Sequence, residues 1–316
     1  MTPQRIVILG GTGFVGSYLV PRLAADGHRI TLLSRNRELH RSLAVLPSIA
    51  IRSADVYDDA VLRRHCEGAD TVINLIGILN NIGAHTFQRA HVEMARRLIA
   101  ICQITGVKRL HQMSSLKAGQ GQSQYLKTRG EAETLVKVSS LDWTIYEPSV
   151  IFGPGDGLIT RFASLLRKLP VLPLARASSR MAPTYVGDVA EAIARCVAND
   201  KRVSRRIFEL YGPEVLTLGE IVHAIRDAAG LHTRIMPLPD SLGRLQAQVA
   251  GMLPGKPFSP DNFLSLGTDS VGSVDGYASL GIVPQSFTRL LSRVLQGMPR
   301  QRRLDLSRQT FRHHGA

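Results

Sequence analysis

Three glycines, Gly10, Gly13 and Gly16, recur at intervals of three between the apolar run Ile6-Val7-Ile8-Leu9 and the stretch Ser17-Tyr18-Leu19-Val20-Pro21-Arg22-Leu23. The order reads as strand, tight turn, helix. Glycine permits the turn and lets main-chain N–H groups approach an anion, and the helix N-terminus adds a partial positive charge. This chemistry suits a pyrophosphate, so the segment Gly10-Gly11-Thr12-Gly13-Phe14-Val15-Gly16 is assigned to a dinucleotide. A second group follows the next apolar run, at Ser34-Arg35-Asn36-Arg37. An acid there would hold a ribose 2′-hydroxyl, whereas Arg35 and Arg37 suit a 2′-phosphate by charge and bidentate geometry. NADP(H) is therefore the preferred nucleotide and NAD(H) the alternative; a plain surface arginine pair is the competing reading. Asp55-Val56 follows the third apolar run, where a carboxylate reaches an adenine amino group. Gly77 follows the fourth, where a small residue admits a cofactor. An ordinary turn would explain either of these alone.

Positioning these groups takes alternating strands and helices. Strand patterns cover residues 29–33, 49–52, 71–76, 109–113 and 143–146. Residues 87–105 read as a long helix with an apolar stripe at Val92, Ala95, Leu98, Ile99 and Cys102, ended by Gly106, and 125–138 as another. Short crossovers of this kind predict a parallel sheet covered on both faces. Beyond Pro148 the pattern loosens: a glycine-rich loop at 153–157, helices at 158–168, 186–197 and 218–229, and a strand at 207–210. The expected fold is an α/β doubly wound parallel Rossmann sheet of order 3-2-1-4-5-6, built from residues 1–150 and 181–203. A smaller discontinuous C-terminal cap is expected from 151–180 and 204–316, ending in a basic tail.

With 316 residues and 44% hydrophobic content, the chain can bury a substantial core. Cys66, Cys102 and Cys196 lie far apart, which gives no metal spacing and no disulfide framework and suits a reducing compartment. The first strand begins by Ile6, leaving no room for a signal peptide, and no run reaches the ~18 apolar residues of a spanning helix. A cytoplasmic protein is expected, with a peripheral place on the inner membrane as its membrane option. The net charge of +14 suits an anionic surface or simply a solvated basic one. Nucleic acid is excluded as a partner, because aromatics are only 5% and no reader motif is present. Part of the excess is local: from Arg289 onward there are seven arginines and one acid, Asp305, so this end is the candidate for docking on a membrane or larger partner. His313-His314 lack any metal-ligand partner in the sequence.

Over about residues 5–240 these positions resemble the short-chain dehydrogenase/reductase superfamily in its extended and atypical branches. The family's Gly-x-x-Gly-x-x-Gly is matched by Gly10, Gly13 and Gly16, and its adenine-contacting acid by Asp55. Its Tyr-Val-x-Asp-Val-Ala is matched by Tyr185-Val186-Gly187-Asp188-Val189-Ala190, and its Pro-Ser-x-x-x-Gly by Pro148-Ser149-Val150-Ile151-Phe152-Gly153. His91-Val92-Glu93, Leu253-Pro254-Gly255-Lys256-Pro257-Phe258 and Asp269-Ser270-Val271 look like the subgroup of the short-chain-dehydrogenase-like accessory subunit of respiratory complex I and its bacterial relatives.

That resemblance implies a tightly held NADPH, a respiratory complex as partner, and no need for turnover. The family's reductases use Tyr-x-x-x-Lys; Tyr125 fits, but Arg129 stands where the lysine should be. Arginine keeps the positive charge in a longer planar fork. Lys127 is no simple substitute, being about 200° around the helix from Tyr125. The serine partner is Ser114 or Ser115. His91 either replaces a helix asparagine of the family or is a satisfied core histidine, and Asp188 is read as a helix N-cap rather than a base.

Three functions follow: a structural or assembly subunit at the respiratory membrane, stiffened by bound nucleotide; a reductase, dehydratase or epimerase for a small or isoprenoid-like substrate in quinone metabolism; or a redox-sensing regulator. The arginine reading predicts that Arg35→Ala weakens NADPH about tenfold to a hundredfold and leaves NADH nearly unchanged, since a charge-assisted contact contributes roughly 1.5–3 kcal/mol. Calorimetric titration of both nucleotides checks this; equal losses would show that Arg35 does not read the phosphate.

Overall fold

The structure is a computed structural model that describes residues 2–35, 47–253 and 256–296. Arg37 and the arginine-rich stretch beyond residue 296 lie outside the described residues. The chain begins β1 (Arg5–Leu9), α1 (Phe14–Ala25), β2 (Arg29–Ser34), β3 (Ile49–Ser53), α2 (Asp59–Cys66) and β4 (Thr71–Asn74). A π-helical turn, Gln88–Glu93, then runs into α3 (Met94–Thr105), followed by β5 (Arg109–Met113), α4 (Gln124–Lys137) and β6 (Asp142–Pro148). Next come β7 (Ile151–Phe152), α5 (Leu158–Lys168), β8 (Val171–Ala175), β9 (Arg180–Met181), β10 (Thr184–Tyr185), α6 (Val186–Ala198), α7 (Asp200–Val203) and β11 (Arg206–Leu210). The last part comprises β12 (Leu216–Thr217), α8 (Leu218–Ala228), β13 (Arg234–Leu238), α9 (Asp240–Met252), α10 (Pro260–Ser265), α11 (Gly276–Ser279) and α12 (Phe287–Leu295).

Seven parallel strands pair in the order β11-β6-β5-β4-β1-β2-β3. Their centres are apolar without alternation, as in Ile6 to Leu9, because helices cover both faces. On one face α1 and α6 bring Leu19, Val20, Leu23, Val189, Ile193 and Val197 against Tyr146 and Phe208. On the other, α2, α3 and α4 bring Leu62, Met94, Leu98, Cys102, Ala132 and Val136 against Val7, Leu9 and Ile145. The chain leaves β1 toward β2 and β3, then returns to the other side of β1 at β4. That reversal opens a crevice at the C-terminal strand ends, where ligands of this fold class bind. The cap has its own core, in which Ile159, Leu166, Leu172, Leu174, Ile221, Ile225, Phe287 and Leu291 join α5, α8, α12 and β8.

Two expectations need correcting. Strand β11 joins the sheet beside β6 as a seventh strand, so the sheet's second segment runs to Leu210 instead of stopping at 203. Asp188 is not the N-cap of α6; Tyr185 is, and the Asp188 carboxylate one turn in accepts the Gln285 N–H at 2.7 Å, tying α6 to the chain entering α12.

Beside the crevice lies a group of acids. Ser114 Oγ donates to Glu133 at 2.5 Å and Lys137 Nζ to the other Glu133 oxygen at 2.7 Å. Glu147 on β6 hydrogen-bonds to Glu133 as well, and burial together with that neighbouring carboxylate pushes its pKa up to about 8. The folded protein thus keeps a proton that the unfolded chain releases near 4.5. Stability from this site falls as pH climbs from about 4.5 through about 8. Glu147→Gln, neutral throughout, should flatten that decline and raise the melting temperature relative to the wild type at pH 8 more than at pH 5. An unchanged slope in thermal melts across this range would contradict the shared proton.

Candidate functional site

The glycine turn is built for backbone proximity. Gly10 has φ of 72°, and a Cβ there would lie 2.9 Å from the Leu75 carbonyl carbon, so it fixes the turn against the end of β4. A Cβ on Gly16 would lie 2.2 Å from the Gly11 oxygen, so α1 packs directly on the turn. Gly13 is different. It is the exposed N-cap of α1, with no side-chain cap, and its Cβ would meet only the Gly10 oxygen at 3.2 Å. The space before it is open, and the first-turn N–H groups of Phe14, Val15 and Gly16 have no intrahelical partner. Thr12 flanks them, half-buried. An uncapped helix N-terminus behind an open glycine fits a diphosphate.

Arg35 ends up exposed just past β2, its Nη1 3.0 Å from His85 Nε2. His85 comes from the loop after β4, closed by a bridge between Ile82 and His85. The sequence offered no sign of this meeting. Asp55, an exposed residue, uses one oxygen on the Tyr57 N–H at 3.0 Å in an Asx-type turn, and Val56 packs into the α2–α3 layer.

The third group surrounds α4. Arg129 is only 5% exposed; its Nη1 donates to the Met113 carbonyl at 2.9 Å and its guanidinium lies 5.4 Å from the Tyr125 ring centre. Its Nη2 occupies the place of a side chain on Gly77, where a Cβ would lie 2.2 Å away. Gly77 thus seats the arginine as well as bordering the crevice. The half-buried Tyr125 ring meets His91 edge-on at 5.5 Å and Phe87 at 5.9 Å. Lys127 is exposed on the opposite side of α4.

His91, carried by the π-helical turn, is 1% exposed. Burial, with the Arg129 charge second, drives its pKa down to about 2, so it is neutral. Its Nδ1 lies 2.9 Å from Thr128 Oγ1, and that hydroxyl has the Gln124 and Tyr125 carbonyls within 2.8 and 3.1 Å. The hydroxyl proton goes to a carbonyl, so the network assigns the imidazole proton to Nδ1 and leaves Nε2 a bare acceptor. That atom is buried and unpartnered among the described residues. So are Arg129 Nε and Ser115 Oγ, whereas the Ser114 hydroxyl is taken by Glu133. Buried polar atoms without partners are rare. A donor on Arg129 and an acceptor on His91 left free beside the Tyr125 ring, with the Ser115 hydroxyl left free just past β5, fit a hydroxyl-bearing ligand such as a ribose with its adjoining carboxamide.

The start of α4 is fixed by the cap. The Asp261 carboxylate accepts the Gln124 N–H at 2.6 Å and the Tyr125 N–H at 3.2 Å, while Ser123 caps Leu126 at 3.1 Å. Asp261 escaped the sequence reading because its partner lies 136 residues away; only the capping box from Ser259 to Asn262 marked α10 at all. Among the described residues no three His, Cys, Asp or Glu side chains are placed to hold a metal.

Residues 10–200 match the model of the NAD(P)H-binding family. The chain is 28% identical over 295 residues to "NADH dehydrogenase [ubiquinone] 1 alpha subcomplex subunit 9, mitochondrial" of Arabidopsis thaliana, covering 88% of this chain and 73% of that protein. It is 29% identical over 238 residues to the ceramide reductase of Caulobacter vibrioides, covering 74% of each. A dTDP-glucose 4,6-dehydratase from Streptomyces venezuelae, solved with NAD bound, superposes with a TM-score of 0.72 at 20% identity over 92% of this chain and 96% of that one, which shows the shared fold. The glycine turn, the seven-stranded doubly wound sheet and these matches together make the chain a member of the NAD(P)H-binding family, of short-chain dehydrogenase/reductase type and related both to complex I subunits and to bacterial reductases.

Proposed function

We propose that this chain holds NADP(H) as a resident nucleotide in a structural or assembly role beside a respiratory complex. The observation that carries this reading is Arg129. It stands where the Tyr-x-x-x-Lys pattern of the resembled reductases places lysine, buried and fixed to the Met113 carbonyl. A lysine ammonium can release and regain a proton, whereas a guanidinium stays protonated at any working pH. Position 129 therefore keeps donors for a ribose and loses the capacity to pass a proton on. Gly10, Gly13 and Gly16 with the first turn of α1 take the diphosphate, Arg35 takes the 2′-phosphate with Arg37, and Asp55 takes the adenine. Bound nucleotide stabilises the fold by mass action, by about 2.7 kcal/mol at a hundredfold excess over the dissociation constant. The likeness to the Arabidopsis thaliana subunit over 88% of this chain supports the respiratory setting.

A second reading rests on Ser115. Its unpartnered hydroxyl and the Tyr125 phenol are the pair that a carbonyl reduction needs for proton delivery, with the nicotinamide supplying hydride when bound. The Caulobacter vibrioides relative is a reductase by name.

The readings part in one experiment. Protein purified natively should retain a reduced nicotinamide visible in the near ultraviolet and unchanged by quinones or carbonyl compounds. Tyr125→Phe should keep that nucleotide and rescue a deletion strain, whereas Gly13→Val should lose both the nucleotide and the rescue, since a branched side chain intrudes on the diphosphate. Oxidation of the bound nucleotide by added carbonyls, abolished in a folded Tyr125→Phe protein that no longer rescues, would establish the reductase instead.

A further inference from the structure

The outward face of α9 is apolar, and its inward face is made of small residues. Gly243 and Ala247 are buried, and a Cβ on Gly243 would lie 2.9 Å from Phe263 and 3.0 Å from Ala175, so the helix sits tightly on β8 and α10. On the opposite side Leu242, Leu245, Val249, Met252 and Leu253 are 50–85% exposed. Their steps of three and four residues form one stripe. Leu79 and Ile82, 63% and 54% exposed, stand on the loop after β4. That loop is bound to the segment following α9: Asn80 Nδ2 donates to the Lys256 carbonyl at 3.2 Å, Lys256 Nζ to the Asn81 carbonyl at 2.7 Å, and Asn262 Nδ2 to the Leu79 carbonyl at 3.0 Å. Single exposed apolar residues are ordinary, but a helix-long stripe joined to an apolar loop marks an interaction surface.

Charge identifies the partner. Arg244 lies on α9 itself, Lys256 follows it, and Arg161 donates to the Pro257 carbonyl at 2.8 Å. The nearby acids are engaged internally: Asp240 pairs with Arg176 at 3.0 Å, and Asp261 accepts the first N–H groups of α4. The surface is thus an apolar stripe flanked by cations, in a chain of net charge +14, and no helix among the described residues is long and apolar enough to cross a membrane. That combination suits a helix lying in the headgroup region of an anionic bilayer. We infer that the α9 stripe and the loop after β4 dock this protein on a membrane surface carrying anionic lipid, with the Tyr125 crevice beside the contact. Leu79 stands two residues beyond Gly77 on that loop, and Asp261 in the adjoining segment holds the Tyr125 N–H, so the docking surface adjoins the nucleotide crevice. This inference stands whether or not the nucleotide turns over.

The test is flotation of the full-length, nucleotide-bearing protein with vesicles of phosphatidylcholine, with or without phosphatidylglycerol. The wild type should float with the anionic vesicles, and raised salt should release it only in part, because the apolar contact is not screened. Leu245→Glu combined with Val249→Glu should lower vesicle binding about tenfold or more, with unchanged nucleotide content and melting temperature. Leu245→Ser with Val249→Ser, a milder change at the same exposed sites, should lower it less. Deleting residues 299–316 should leave most of the binding. Wild-type-like flotation of both paired variants, or loss of flotation only on deleting the tail, would overturn the assignment. So would a wild-type dimer in sedimentation that both pairs dissociate, since the stripe would then belong to a second copy. Nucleotide content, read separately, tells a failure of docking from a failure of the nucleotide reading.

Discussion

The Arg129 guanidinium is held at one place by three constraints: the Met113 carbonyl, the absent side chain of Gly77 and the Tyr125 ring. Each comes from a different element, namely the end of β5, the segment after β4 and the first turn of α4. A permanent charge at 5% exposure must be hydrogen-bonded or face a polar ligand. Here one nitrogen is satisfied and Nε is not. The same charge helps keep His91 neutral, and a neutral His91 is what leaves a bare acceptor at Nε2. Burial and this one charge together therefore set the polar groups left beside Tyr125.

Around that floor the rest of the molecule serves as a frame. The sheet brings the ends of β1, β4 and β5 together, and the reversal between β1 and β4 opens the space above them. Glycines at 10 and 16 press the turn and α1 against backbone, so a side chain at either position would force the turn at the first strand's end to shift. The segment from Lys256 to Asn262 meets the other end through hydrogen bonds to backbone: Asp261 on α4, Asn262 on Leu79 and Lys256 on Asn81.

Much of this was legible locally. Strand β5 and helix α5 fall where the apolar pattern and their bounding turns put them, and the other sheet strands with α4, α6 and α8 differ by a residue or two at their ends, whereas the helix read over 87–105 opens with a π-helical turn and α2, α7 and α9 to α12 were not read. Strand β11 was readable as a strand but not as a member of the sheet, because its pairing with β6 spans about sixty residues and no periodicity records a partner. At the site, the spacing of Tyr125 and Arg129 was visible, but which of the Ser114 and Ser115 hydroxyls is engaged was not. It depends on Glu133, whose reach across from α4 is a matter of helix rotation. The meeting of Arg35 with His85 and the capping of α4 by Asp261 are likewise products of the folded chain alone.

The fit between Gly77 and Arg129 also constrains how such a site can change over generations. With arginine at 129, an alanine at 77 would come within 2.2 Å of Nη2. The flexible end of the arginine would have to swing away and give up its Met113 bond, stranding a buried cation. With lysine at 129 the ammonium lacks the fork that covers Gly77, so a small side chain at 77 meets no such obstacle. The two positions are therefore coupled: glycine at 77 leaves room for the arginine fork, and arginine at 129 makes any larger residue at 77 costly through the Met113 bond it would break.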